Sequence, residues 1–191
     1  MGDQIVGRVP ARARQAGWDM VRSLGLVAAV LLLVLGFAHP RTPDPVKPVE
    51  WQPVAQSAAA AAAMDVLAPS ASFDWVATSA RVETQPDGTV IWRCGFLTPS
   101  GEYAGLLQRG EFPAQAVQAQ SDWVRAETRQ GVVQGGVTIG GREWVRMVGD
   151  PSPDDRRSLV DEQGGTSTLV TGSATWSELE QLAAALKPTS G

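Results

Sequence analysis

A long uncharged apolar run near the N-terminus is the feature that most constrains this chain. The residues from Leu24 to Ala38 include no charged side chain. When the run is extended back to Met20, a helix of roughly 28 Å results, which matches the thickness of a bilayer core. Arg22 can extend its guanidinium to the headgroups, and Pro40 prevents the helix from continuing. We therefore predict a transmembrane helix over residues 20–38.

The charges on the two sides of this run predict its direction. Only Arg41 and Lys47 follow it closely, whereas four arginines precede it, namely Arg8, Arg12, Arg14 and Arg22. Because positive side chains are retained on the cytoplasmic side, we expect a cytoplasmic tail over residues 1–19 and an extracytoplasmic C-terminal part. The alternative is a cleaved secretory signal, since Gly36, Phe37 and Ala38 loosely imitate a small-x-small cleavage site.

The rest of the chain predicts a spacer followed by one folded domain. Residues 39–50 contain four prolines, which favour an extended spacer. Residues 51–191 are long enough to bury a single core, and a hydrophobic content of 43% argues against disorder. The chain has a net charge of −4 and lacks basic clusters after the membrane run. We therefore expect no nucleic-acid partner.

Hydrophobic periodicity in the C-terminal part predicts mostly strands. A helix over 56–67 competes with a flexible Ala-rich linker there, and further helices are expected over 113–125 and after Thr175, with Glu178 completing a capping box. Short turns such as Gly140-Gly141 join the strands into hairpins. This pattern predicts an α+β fold, an antiparallel sheet of about six or seven strands covered by helices and preceded by one transmembrane helix. The predicted strands are 74–83, 89–97, 103–108, 132–139, 142–148, 157–161 and 166–172.

The sequence offers little reaction machinery. Cys94 is the only cysteine and His39 the only histidine, which excludes an intramolecular disulfide and multi-histidine metal sites. Cys94 alternates with Trp92 and Phe96 on one face of a predicted strand, so we interpret it as a core residue rather than a nucleophile. We predict no catalytic residue, no metal ligand and no cofactor.

Two further features of the sequence are candidate sites. The loop over 149–157 gathers Asp150, Asp154 and Asp155, whose oxygens suit Ca²⁺, yet their spacing is not that of an EF-hand and favours a solvated turn. The seven tryptophans invite a ligand-stacking role. Trp92 and Trp123 lie on predicted apolar faces, so core packing explains them better.

Four stretches carry a family resemblance in their order along the chain: DMVRSL from residue 19, WRCGFLTPSGEYAGLLQ from residue 92, VTIGGREWV from residue 137 and TLVTGSATWSELEQLAAAL from residue 168. In these stretches the chain resembles the actinobacterial membrane proteins grouped as domain of unknown function 4245. The resemblance implies a single-pass envelope protein with an outward domain. It implies no established activity and no catalytic residues.

The leading hypothesis for function is a membrane-anchored binding or interaction module of the cell envelope. Its expected partners are the bilayer of the plasma membrane and an envelope protein or glycan. An envelope enzyme that uses carboxylates alone is one alternative, and a small-ligand carrier is another. A concave site in the folded domain would discriminate among them.

Overall fold

The computed structural model describes residues 24–28, 47–62, 64–110, 117–149, 156–163 and 165–189. Residues 24–28 form a helical segment with exposed side chains. Within these described ranges, no helix is both long and apolar enough to cross a membrane. The predicted tail, most of the predicted span and spacer, and the acidic residues Asp150, Asp154 and Asp155 lie outside the described residues.

The chain separates into two compact units, residues 1–45 and residues 46–191. The second unit contains every helix and strand discussed below. Its helices are α1 (Gln52–Ala61), α2 (Val117–Glu127) and α3 (Trp176–Ala185). Its strands are β1 (Leu67–Pro69), β2 (Val76–Thr84), β3 (Val90–Leu97), β4 (Tyr103–Arg109), β5 (Val132–Ile139), β6 (Arg142–Val148), β7 (Arg157–Gln163), β8 (Thr166–Gly172) and β9 (Leu186–Pro188).

Seven of these strands form one antiparallel sheet, in the order β2-β3-β4-β8-β7-β6-β5. The prediction of an antiparallel α+β sheet is therefore confirmed. Neighbouring strands are joined mainly by hairpins, and Gly140 and Gly141 have φ values of 61° and 79°, as a primed turn requires. β4 pairs with β8 in the middle of the sheet, after the chain has passed through α2 and the β5–β6–β7 strands.

One face of the sheet, the α1/α3 face, holds the larger core. Trp92, Cys94 and Phe96 alternate along β3 and point to this face, where they pack with Leu179 and Leu182 of α3. The interpretation of Cys94 as a core residue is confirmed, because its side chain is buried. Burial raises the pKa of the Cys94 thiol to about 12, so the thiol stays protonated and a poor nucleophile at neutral pH.

The opposite face, the α2 face, carries a smaller apolar cluster. Leu107, Val160 and Leu169 of the sheet pack there against Val124 of α2. The helix predicted over 113–125 is present as α2 over Val117–Glu127, and it packs on the sheet only near its C-terminal end, since Val117 is 66% exposed and Ala119 is also exposed. The first turns of the helix therefore extend beyond the apolar patch that the sheet offers.

A separate two-stranded ribbon, β1 paired with β9, replaces part of a predicted helix. The prediction of a helix over 56–67 is wrong at both ends, because α1 spans Gln52–Ala61 and residue 67 begins β1. The amide group of buried Gln108 accepts a hydrogen bond from the Leu67 N–H at 2.8 Å and donates one to the Asp65 carbonyl at 2.9 Å. Trp92 Nε1 donates to the Leu67 carbonyl at 3.1 Å. Side chains of the sheet thus supply partners that helical hydrogen bonds would otherwise have provided.

The last helix follows its sequence signal closely. Thr175 caps α3, the Thr175 side chain accepts from the Glu178 N–H, and the Glu178 carboxylate accepts from the Thr175 N–H at 3.0 Å. Ser100 also donates to Glu178, at 2.6 Å, and this bond ties the β3–β4 turn to the helix N-terminus. The predicted capping box is confirmed.

Candidate functional site: a cationic cleft beside Tyr103

A cleft of about 390 Å³ opens where β4 begins and β8 ends. The loop after α2 and the residue before β7 complete its walls. This volume falls within the roughly 300–1,000 Å³ typical of small-ligand sites. Another depression, between α1 and the β1–β9 ribbon, measures about 220 Å³. The lining residues of the cleft are Glu102, Tyr103, Arg129, Arg156, Gly172 and Ser173.

Arg156 is a partly buried cation in this cleft. Its Nε donates to the Thr171 hydroxyl at 3.1 Å, and that hydroxyl lies 2.7 Å from the hydroxyl of Ser158. Burial and then the nearby charge of Arg129 lower the pKa of Arg156. A guanidinium nevertheless stays protonated at any physiological pH. Arg156 therefore remains charged where burial and a like charge both disfavour it.

Arg129 reaches the cleft from an unusual backbone conformation. Arg129 and Gln130 have φ values of 54° and 58°, in the left-handed region that non-glycine residues adopt at a cost of about 1–2 kcal/mol each. Gln130 N–H bonds to the Arg125 carbonyl at 2.8 Å and Arg129 N–H to the Ala126 carbonyl at 3.2 Å. This is the pattern of a Schellman motif, in which glycine usually occupies the position of Arg129. Arginine in this position therefore carries backbone strain, and strained residues often cluster at functional sites.

A neighbouring ion pair holds the end of α2 in place. Glu127, the last residue of α2, accepts two hydrogen bonds from the Arg93 guanidinium, at 2.5 and 3.1 Å. Because both Glu127 oxygens are engaged by Arg93, this carboxylate is already paired. Among the described residues neither Arg129 nor Arg156 forms an ion pair.

Tyr103 forms the floor beside these arginines. Its ring lies over Gly95 and Gly105, which face each other on β3 and β4. A Cβ atom at Gly105 would approach the Tyr103 hydroxyl to 2.7 Å, and one at Gly95 would approach Tyr103 Cε2 to 2.9 Å. The two glycines therefore let the ring lie close against the sheet, a device known to shield strand glycines.

The end of β8 fixes the backbone of Tyr103. Tyr103 N–H donates to the Ser173 hydroxyl at 3.1 Å. A Cβ atom at Gly172 would come within 1.9 Å of the Tyr103 carbonyl oxygen, so this contact requires glycine. Tyr103 is thus positioned by the ends of β4 and β8. Arg129 is positioned by the strained loop after α2.

This arrangement suits binding of an anion. Each guanidinium is planar, and its N–H donors can bind two oxygens of a phosphate or a carboxylate at once. Among the described residues of the lining, Glu102 is the one carboxylate. Within the same described ranges, no three His, Cys, Asp or Glu residues are grouped so as to hold a metal ion. The described cleft is equipped to hold an anion by charge and hydrogen bonding.

The candidate residues named from the sequence lie in different places relative to this cleft. Trp92, interpreted from its face as a core residue, is fully buried. The acidic residues of the loop over 149–157 lie outside the described residues, whereas Arg156 from the same segment lines the cleft. Sequence reasoning missed Tyr103 and Arg129, because no motif connects segments so far apart. The one local signal was an arginine where a helix C-terminus usually has glycine.

Comparison with known proteins identifies a family but no characterised relative. A family model described as "Protein of unknown function (DUF4245)" matches residues 12–186, a range that includes every residue of the cleft. Neither the curated proteins nor the solved structures contain a match.

Proposed function

Since the chain belongs to the family of proteins of unknown function DUF4245, we propose that it is a membrane-anchored binding module of the cell envelope. The extracytoplasmic domain binds an anionic ligand in the cleft formed by Arg129 and Arg156. The anchor keeps this site near the outer surface of the plasma membrane, where the bilayer and an envelope protein or glycan are its partners.

The pair of cations without carboxylate partners among the described residues is the observation that carries the binding proposal. Arg156 is half-buried and Arg129 is exposed, and the like charge of Arg129 disfavours the charged form of Arg156. An oxyanion between the two guanidiniums replaces that repulsion with charge-assisted hydrogen bonds. Half-buried Arg156 gains more from a bound anion than a fully solvated arginine would.

The position in the membrane rests on the N-terminal sequence. The uncharged run from Leu24 to Ala38 follows four arginines, which favours a single-pass anchor with a cytoplasmic N-terminus. No nucleic-acid partner is proposed, because the acidic folded part has no basic cluster long enough to follow a phosphate backbone.

A phosphate titration of the full-length chain in mild detergent tests the binding proposal. We expect saturable binding of inorganic phosphate by isothermal titration calorimetry. Arg156→Gln should weaken it roughly ten- to hundred-fold, as for a lost charged hydrogen bond. Arg125→Gln removes the same charge from an exposed position of α2 and should leave binding nearly unchanged. Equal loss in both variants would mean that overall charge, rather than the cleft, attracts phosphate.

Vesicles distinguish a lipid source of the anion from a soluble one. If the natural ligand is a phospholipid headgroup, anionic phosphatidylglycerol vesicles should compete with phosphate for the cleft. The chain should then bind phosphate more weakly in their presence than in the presence of neutral phosphatidylcholine vesicles. If the ligand is soluble, both vesicles should have the same effect.

Reporter fusions test the proposed orientation. Alkaline phosphatase joined after Gly191 should be active, because it folds only outside the cytoplasm. A fluorescent protein that folds only in the cytoplasm should be dark at the same position. The reverse pattern would remove the extracytoplasmic assignment. The intact mass of the mature chain separates a retained anchor from a signal cleaved after Ala38.

The two alternatives make different demands on the cleft. An envelope enzyme that uses carboxylates alone needs a second carboxylate facing Glu102, as in glycoside hydrolysis. A small-ligand carrier needs an apolar cavity, whereas the described lining here includes the charged side chains of Arg129, Arg156 and Glu102. The lining therefore favours a binding module for anions.

A further inference from the structure

We propose that the ligand of this cleft is a phosphorylated sugar, whose phosphate lies on Arg129 and Arg156 and whose ring stacks on Tyr103. This inference rests on the proposed anion-binding function and names the chemical class of the ligand. Its support comes from the Tyr103 ring and from the polar groups around it.

Tyr103 is a preformed stacking surface. One side of its ring is packed over the backbone of Gly95 and Gly105, so the side chain is restricted before any ligand arrives. The residue is still 42% exposed, which leaves the ring accessible from the cleft. A ligand ring placed on a restricted aromatic ring costs little additional side-chain entropy.

Among the aromatic residues that the structure describes, Tyr103 alone has an exposed side chain. On the α1/α3 face, Trp92 and Phe96 are buried, and Phe73 and Trp176 are half-buried against the same core. Tyr103 is the only tyrosine of the chain, and it lies on the opposite face of the sheet. An aromatic ring exposed next to two arginines is a combination that core packing does not require.

The groups beside the ring match a hydroxylated ligand. The Glu102 carboxylate can accept hydrogen bonds from ligand hydroxyls, and Ser173 has an O–H that can donate to them. The guanidiniums of Arg129 and Arg156 line the same cleft and can bind phosphate oxygens. A sugar phosphate offers all three surfaces at once: a charged phosphate, hydroxyl edges and a ring face with C–H groups. The cleft volume of about 390 Å³ accommodates a ligand of this size.

A nucleotide is the competing ligand, because its base also stacks on aromatic rings and its phosphate is equally charged. The surroundings of Tyr103 favour the sugar. A base is commonly held between two flat or apolar surfaces, whereas the described walls beside Tyr103 are a carboxylate, a hydroxyl and guanidiniums.

Calorimetric titration of the full-length chain in detergent tests the inference with four probes: inorganic phosphate, glucose 1-phosphate, methyl glucoside and AMP. We expect glucose 1-phosphate to bind roughly three- to ten-fold more tightly than phosphate, the range typical of one aromatic stacking contact. Tyr103→Ala should remove this advantage while phosphate binding persists. Tyr103→Phe keeps the ring and should retain the advantage.

Tyr103→Leu is a second variant that distinguishes loss of stacking from a folding defect in Tyr103→Ala. Leucine covers Gly95 and Gly105 but offers no flat ring, so a folded Tyr103→Leu chain should behave as Tyr103→Ala does. Equal affinities of glucose 1-phosphate and phosphate in the wild-type chain would overturn the inference, as would a Tyr103-dependent gain for AMP alone. If the wild-type chain did not bind inorganic phosphate at all, that result would instead overturn the proposed function.

Discussion

Single residues carry the charge and the strain of the cleft. Arg129 combines both, because its guanidinium lines the cleft and its backbone has a φ of 54°. Glycine would relieve that strain but would remove the cation. If the cleft binds an anion as proposed, arginine at this position exchanges stability for binding, a trade-off common at functional sites.

Two substitutions at Arg129 separate these effects. Arg129→Gly should raise the free energy of unfolding by about 1 kcal/mol, since glycine adopts the left-handed region freely. Arg129→Ala keeps the strain and should leave stability within about 0.5 kcal/mol of wild type. Both should weaken phosphate binding to the same extent. Urea unfolding and calorimetry measure the two quantities, and destabilisation by Arg129→Gly would contradict the strain argument.

At the scale of elements, side chains from one element fix the ends of another. Gln108 of β4 satisfies the backbone of the segment leading into β1, at Leu67 and Asp65. Glu178 links the first turn of α3 to Ser100 of the β3–β4 turn. Each contact joins segments that are distant in sequence, so each can be tested by removing one side chain.

Gln108→Leu should destabilise the domain by about 2 kcal/mol, because it leaves the Leu67 N–H and the Asp65 carbonyl without their buried partners. Hydrogen exchange at the Leu67 amide should accelerate. Gln118→Leu, at an exposed position of α2, is the matched control and should change stability by less than about 0.5 kcal/mol. Unchanged protection at Leu67 in the Gln108 variant would show that β1 is held by its pairing with β9 alone.

Glu178 gives the domain a predictable response to acid. The hydrogen bond that Ser100 donates to Glu178 is the largest cause that lowers the pKa of Glu178 from 4.5 to about 2, and the hydrogen bonds from Thr175 lower it further. A carboxylate with a lowered pKa contributes stability that is complete above the unfolded value and is lost as the pH falls through the folded value. Thermal midpoints of wild type should therefore decline between about pH 4.5 and pH 2 more steeply than those of Glu178→Gln.

The glutamine keeps an oxygen that accepts from the Thr175 N–H but does not titrate, so the two midpoints should converge near pH 2. Glu162→Gln, at an exposed position of β7, should follow the wild-type curve. Parallel curves for wild type and Glu178→Gln would mean that the capping charge contributes nothing in the folded state.

At the scale of the whole molecule, one sheet supports helices on both faces. The cluster on the α1/α3 face includes Trp92 and Trp144, whereas Trp123 packs beside Val124 on the α2 face. Both clusters include residues of β4, β7 and β8, so neither can be lost without exposing the central strands. A domain of this size and connectivity is expected to unfold in one step.

Urea unfolding should therefore give a single transition, with coincident midpoints for tryptophan fluorescence and for the circular dichroism of the peptide backbone. Trp123→Phe removes the reporter on the α2 face and should leave the shape of the fluorescence transition unchanged. An earlier transition that disappears with Trp123→Phe would instead indicate that α2 opens by itself before the sheet unfolds.

The sequence by itself determined the elements whose signals are local. The capping box of Thr175 and Glu178, the turn at Gly140-Gly141 and the burial of Cys94 each depend on residues within a few positions of one another, and each was predicted. The charge asymmetry around Leu24 to Ala38 likewise predicts an anchor and its direction, which the reporter fusions will test. Periodicity also predicted the antiparallel sheet, since it reports which side of a strand is buried.

Only the tertiary structure decided the β1–β9 ribbon and the cationic cleft. Leu67 becomes a strand residue because Gln108 and Trp92, far along the chain, bind its backbone. Tyr103, Arg129 and Arg156 meet because β4 pairs with β8 and because α2 ends beside them. Charge repulsion, burial and backbone strain at these positions depend on distances in space, and no spacing in the sequence encodes them.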